Sequence, residues 1–143
     1  MESPSATISP NAIERRFDAL RAASRRALVC YLTAGHPDIP RSLETLSAVD
    51  EAGADIVEIG VPFSDPIADG PIIQKSSHRA LENGMTYDAT LGLIESARLK
   101  SPVVLFSYLN PILAAGPSAL AHASAAGASG ILITDLPVGA DPD

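Results

Sequence analysis

Residues 53–60 read Gly-Ala-Asp-Ile-Val-Glu-Ile-Gly, and residues 127–134 read Gly-Ala-Ser-Gly-Ile-Leu-Ile-Thr. Each stretch is a glycine that stops a helix, an alanine, and then an apolar run of strand length. The copies lie 74 residues apart (127 against 53), which is two units of about 37. Strand–helix units at that interval predict right-handed β-α crossovers and a parallel sheet. Working outward, Ala27–Thr33 (ALVCYLT) and Val103–Tyr108 (VVLFSY) are continuous apolar runs, the signature of strands buried on both faces. The sequence thus predicts four parallel strands, over 27–33, 55–60, 103–108 and 130–134.

Helices fill the intervals. Ser9-Pro10 reads as an N-cap followed by proline at the first helical position. The helix that follows runs to Ala23, with Ile13, Phe17 and Leu20 on an apolar face and Arg15, Arg16 and Asp18 opposite. Asp38 is placed to cap a helix carrying Leu43, Leu46 and Val49 on one face, which Gly53 ends. Further helices are predicted over 72–82, 87–99 and 118–126, and Asn110-Pro111 reads as a break after the third strand. Residues 1–8 are polar and read as disordered. The sheet is either open and doubly wound or a closed barrel. No Gly-x-Gly-x-x-Gly opens the first helix, which weighs against the dinucleotide-binding version.

Composition narrows the function. The chain has 143 residues, the length of one domain, with 10 Lys+Arg against 17 Asp+Glu and a net charge of −7. That acidic balance argues against nucleic acid and anionic membrane as partners, because both need a basic patch. A 19% charged and 46% hydrophobic content excludes a disordered polyelectrolyte, although 23 alanines make up about a third of the apolar set. The single cysteine, Cys30, rules out an intrachain disulfide and any Cys-based zinc cluster, and it reads as a small core hydrophobe. No metal-ligand cluster stands out. There is no signal peptide pattern and no apolar run of membrane-spanning length, so a soluble, cytoplasmic protein is expected.

Polar residues follow each strand: Thr33, then Asp65 and Asp69, then Asn110, then Asp135. Sites in parallel α/β folds lie at these carboxyl ends. Two carboxylates stand out. Glu58 sits inside the second strand, between Val57 and Ile59, and in a barrel it shares the lumen face with Ile56 and Gly60. Desolvation there raises a carboxyl pKa toward the range of a general acid–base. A salt bridge to a neighbouring strand or helix is the alternative reading. Asp69 lies in Phe63–Pro71, a loop whose prolines restrict the backbone and so suit a fixed side chain. From position alone an Asx turn or a helix cap is the more usual explanation of a loop Asp. His36, His78 and His122 read as loop or helix-surface residues.

Glu58 through Gln74, Glu-Ile-Gly-Val-Pro-Phe-Ser-Asp-Pro-Ile-Ala-Asp-Gly-Pro-Ile-Ile-Gln, closely resembles the signature of the tryptophan synthase α-subunit family. Tyr31–Pro37 (YLTAGHP), Tyr108–Pro111 (YLNP) and Thr134–Pro137 (TDLP) resemble the family's first, third and fourth strand ends, in its order and spacing. The resemblance implies a (βα)8 TIM barrel, of which residues 1–143 supply the leading helix and about four βα units, a half barrel and a partial domain. It implies retro-aldol cleavage of indole-3-glycerol phosphate to indole and glyceraldehyde 3-phosphate, in tryptophan biosynthesis, with no cofactor. By the same resemblance Glu58 is the general acid–base and Asp69 accepts a hydrogen bond from the indole N–H. Tyr31, Phe106, Tyr108 and Leu132 line the indole pocket, Phe106 standing where the family commonly has a smaller aliphatic. Thr33, Pro62 and Asp65 face the β-subunit, in an α2β2 complex. The phosphate-binding loops are expected beyond Asp143, so negligible lyase activity is expected of the 143 residues alone. Two other readings stay open: another phosphate-binding barrel aldolase or isomerase, and a non-catalytic module that binds and regulates a β-type subunit.

Overall fold

The computed structural model describes residues 11–137 and 139. It opens with helix α1 (Ala12–Ala22), strand β1 (Val29–Thr33), α2 (Ile39–Glu51) and β2 (Ile56–Gly60). There follow α3 (Pro71–Glu82), α4 (Tyr87–Ala97), β3 (Val103–Ser107), α5 (Leu109–Ala115), α6 (Ala119–Ala126) and β4 (Ala128–Ile133). All neighbouring strands pair in parallel, in the order β1-β2-β3-β4, as the repeat predicts. The glycines of that repeat play equivalent parts. Gly53 and Gly127, each just beyond a helix, have φ of +98° and +110°, a region that residues with a Cβ enter only at a cost.

Register divides each strand into two sets. Val57, Ile59, Val103 and Leu105 pack with α2, α4 and α6 side chains such as Leu46, Leu93 and Ile94 in the main core. On the opposite face Tyr31, Glu58, Val104 and Gly130 stand in one row, and Thr33, Gly60, Phe106 and Leu132 in the next. A bulge at Ser129 brings Gly130 opposite Val104. α1 crosses this second face at the amino ends of the strands, where a Cβ on Gly130 would come within 2.9 Å of the Ile13 methyl.

Four local expectations need correction. The Ser9-Pro10 cap lies outside the described residues; the described cap is Asn11, which exchanges hydrogen bonds with Glu14 at 2.7 and 2.9 Å. Arg16 does not share a solvent face with Arg15 and Asp18. It turns inward to the buried Asp55 carboxylate at 2.6 Å, while Phe17 is 41% exposed. A buried carboxylate needs partners more than a helix needs a regular stripe. Asn110-Pro111 does not end the third unit either. Both residues sit in the first turn of α5, where a helix makes no use of the missing proline N–H, and Asp135 from beyond β4 accepts the Leu109 N–H at 2.7 Å. Strand β4 also begins earlier than predicted, at Ala128. The other helices lie where expected, with Asp38 capping α2 through the Arg41 N–H at 2.8 Å. Among the described residues no helix is long and apolar enough to cross a membrane.

Asp55 also accepts the Leu28 N–H at 2.8 Å. That bond, and then the Arg16 guanidinium, hold its carboxyl below the usual carboxylate range. A depressed pKa contributes stability that is present above the unfolded value, about 3.9, and lost as pH falls through the folded one. Asp55→Asn is therefore expected to lower the urea midpoint at pH 7 and to converge with the parent as pH drops below about 4. A constant gap between the two midpoints from pH 7 down to pH 3 would contradict this assignment.

Candidate active site at the carboxyl ends of the strands

Glu58 stands half-buried in the middle of β2, beside Tyr31 on β1 and Val104 on β3. Among the described residues it forms no ion pair, so the salt-bridge reading of this carboxylate is not realised there. One row higher, β2 presents Gly60. A Cβ at this position would fall on the Tyr31 phenol, 2.7 Å from its Cζ. The bare backbone lets the Tyr31 ring lie over β2 and meet Phe106 from β3 edge to face, with centroids 5.2 Å apart and planes at 73°. Tyr31 and Phe106 thus touch across a strand that lies between them.

Asp69 arrives from the other side, on the loop between β2 and α3. It does not cap that helix: the N-cap of α3 is Gly70, and no side chain bonds there. The Asp69 N–H closes a turn onto the Pro66 carbonyl at 3.1 Å, and its own carbonyl accepts the Gln74 amide at 2.8 Å. The backbone is thereby fixed and the carboxylate left for other use. Further along, the buried Ser77 hydroxyl accepts the Phe63 N–H at 2.9 Å. From just past β3, at the N-cap of α5, the oxygen of the buried Tyr108 accepts the Ala68 N–H at 2.9 Å, and the Tyr108 ring packs on Phe63 at 5.2 Å.

Both site tyrosines are shifted in the same direction. Burial pushes the Tyr31 phenol up, the Thr33 hydroxyl works against it, and Asp69, Tyr108 and Glu58 add to the rise. Burial likewise pushes Tyr108 up, opposed by the Ala68 N–H and reinforced by the Asp69 carboxylate. In the fold itself Glu58 stands opposite Tyr31, and Asp69 directly follows the residue that Tyr108 holds. Leu132, 38% exposed on β4, lies beside Phe106 at the edge of this group.

The remaining site residues are placed differently. The Thr33 hydroxyl is engaged within the chain, 2.7 Å from the Ser76 hydroxyl of α3. Pro62 is buried, and Asp65 is exposed, accepting the Ser64 hydroxyl at 2.6 Å. His36, His78 and His122 are exposed, on a loop and on helix surfaces, as expected. Cys30 is half-buried against the core. Among the described residues no group of three or more His, Cys, Asp or Glu is placed to hold a metal. Sequence reasoning missed the part played by Gly60 and by the Ala68 N–H. A glycine inside a strand is a signal of close approach, whereas nothing local marks a backbone amide as a tether.

A family profile described as "Tryptophan synthase alpha chain" matches residues 17–143. The tryptophan synthase alpha chain of Desulfatibacillum aliphaticivorans is 48% identical over 128 residues, 87% of this chain and 48% of that protein. That of Synechococcus elongatus is 48% identical over 130 residues, 89% of this chain and 49% of that protein. The crystal structure of tryptophan synthase subunit alpha from Legionella pneumophila str. Paris superposes with a TM-score of 0.86 at 37% identity, covering 90% of this chain and 51% of that one. The aminoacrylate-bound form of tryptophan synthase from M. tuberculosis gives 0.85 at 38% identity, over 93% and 56%. The chain spans about half the length of the curated relatives it matches.

Proposed function

The chain belongs to the tryptophan synthase alpha chain family, and from that premise we propose that, within a barrel of its relatives' length, it cleaves indole-3-glycerol phosphate to indole and glyceraldehyde 3-phosphate. The observation that carries this reading is Glu58 standing beside Tyr31 on the site face of the sheet, where Tyr108 ties down the loop bearing Asp69, next to an aromatic pair that a flat ring can lie against. Cleavage needs a proton delivered to indole C3 and a proton removed from the glycerol hydroxyl next to it. Glu58 as a carboxylic acid gives the first, forming a cationic indolenine. As a carboxylate it then takes the hydroxyl proton while the carbon–carbon bond breaks and its electron pair returns to the ring. The acid is regenerated within one turnover. Asp69 accepts the indole N–H and opposes the positive charge on that nitrogen. Tyr31, Phe106, Tyr108 and Leu132 supply the apolar walls. No metal or organic cofactor enters this scheme.

A β-subunit, in an α2β2 assembly, is the proposed partner, and the cytoplasm the proposed setting. Thr33, Pro62 and Asp65 belong to the rim that would meet it, with Asp65 the one open to direct contact.

The test joins this chain to the second half of the Desulfatibacillum aliphaticivorans relative and supplies indole-3-glycerol phosphate. Indole release is the expected result. Turnover of other sugar phosphates instead would point to a different barrel aldolase or isomerase. A chimera that releases no indole yet stimulates a β-subunit would point to a regulatory module.

A further inference from the structure

We propose that Tyr108 is a positioning residue for Asp69: its oxygen clamps the backbone one residue before Asp69 while its ring holds the start of the same loop. The inference rests on the reading of Asp69 given above and adds the group through which Asp69 is held. Tyr108 is 3% exposed and follows directly on β3, as the N-cap of α5. It then meets the loop at two separated points. Its ring lies on Phe63, and its oxygen accepts the Ala68 N–H at 2.9 Å, a bond between residues 40 apart in sequence. A phenol oxygen that accepts one bond keeps its own proton for another acceptor. Burial first, and then the neighbouring Asp69 carboxylate, push the Tyr108 phenol up and so keep that proton on it.

The geometry separates this role from simple pocket lining. A lining residue acts on the ligand directly, whatever stands at position 69. A residue that acts through Asp69 loses its effect once position 69 no longer carries a carboxylate. The experiment is a double-mutant cycle in the full-length chimera, read by equilibrium binding of indole-3-propanol phosphate, which cannot be cleaved. Tyr108→Phe keeps the ring and its contact with Phe63, and thermal melting of each variant checks that the fold persists. With Asp69 present, Tyr108→Phe is expected to weaken binding about fivefold or more; in the Asp69→Asn background the same change is expected to cost less than about twofold. An equal factor in both backgrounds would overturn the inference and leave Tyr108 a wall of the pocket. Indole release by the parent chimera is scored separately. A parent that cleaves while the cycle is additive refutes the positioning role alone, whereas a parent that neither binds nor cleaves refutes the proposed function.

Discussion

Glu58→Gln is expected to reduce kcat of the full-length chimera by about 10²–10⁴-fold, the range spanned by loss of a general acid–base. The substitution is nearly isosteric, and among the described residues Glu58 has no ion-pair partner whose loss would disturb β2. Folding and ground-state binding are therefore expected to persist, with KM changing far less than kcat. The amide can neither protonate indole C3 nor take the glycerol proton, so both halves of the reaction stop together. Steady-state indole release and equilibrium binding of indole-3-propanol phosphate, measured on the same preparations, separate the two effects. A Gln variant that turns over within about fivefold of the parent would remove Glu58 from the chemistry. Undiminished stimulation of a β-subunit by a chimera with no turnover of its own would favour the regulatory reading.

Gly60→Val is expected to be nearly as damaging by a different route. Any side chain at this position meets the Tyr31 ring, within 2.7 Å of Cζ and 2.9 Å of Cε2. The obstacle is a side chain, not backbone, so the fold can yield: Tyr31 swings off β2 and gives up its edge-to-face contact with Phe106. Overpacking of this kind costs about 1–3 kcal/mol of stability. Displacing a wall of the site by an ångström or more costs about 10²-fold in kcat/KM. Urea unfolding and steady-state kinetics on the chimera read the two quantities. Retention of kcat/KM within about threefold would show that the Tyr31–Phe106 pair is dispensable. Gly60→Ala is expected to give a smaller effect of the same sign, and pairing Gly60→Val with Tyr31→Ala is expected to recover part of the stability.

Much of this arrangement is legible in the sequence, for identifiable reasons. Strands of a helix-covered parallel sheet are continuously apolar, so β1 to β4 announce themselves and a charged exception such as Glu58 stands out, but the expected burial on both faces fails for β1, where no residue is fully buried, because it is an edge strand of this sheet. Helix-stopping glycines and caps act over a few residues, and Gly53, Gly127 and Asp38 lie where they were expected. What escapes is whatever a distant residue decides. Arg16 leaves its expected face because Asp55, 39 residues away, is buried and needs a cation. α5 forms across Asn110-Pro111, with Asp135, 26 residues on from Leu109, capping its start. The loop that carries Asp69 is restricted by its own prolines, as its composition suggests, but its tether to β3 depends on Tyr108 and cannot be read from local sequence.

The alternation along β2 has an experimental consequence. Val57 and Ile59 are fully buried among the helices, while Glu58 and Gly60 belong to the face that holds the site. Saturation mutagenesis of this single strand should separate into two interleaved phenotypes. Changes at 57 and 59 should be scored by abundance and melting, and changes at 58 and 60 by turnover in protein that still accumulates. A deletion or insertion of one residue here would exchange the two sets, presenting valine and isoleucine to the substrate and driving a carboxylate into the helix-covered core. The strand can therefore vary by substitution at either set far more readily than it can vary in length.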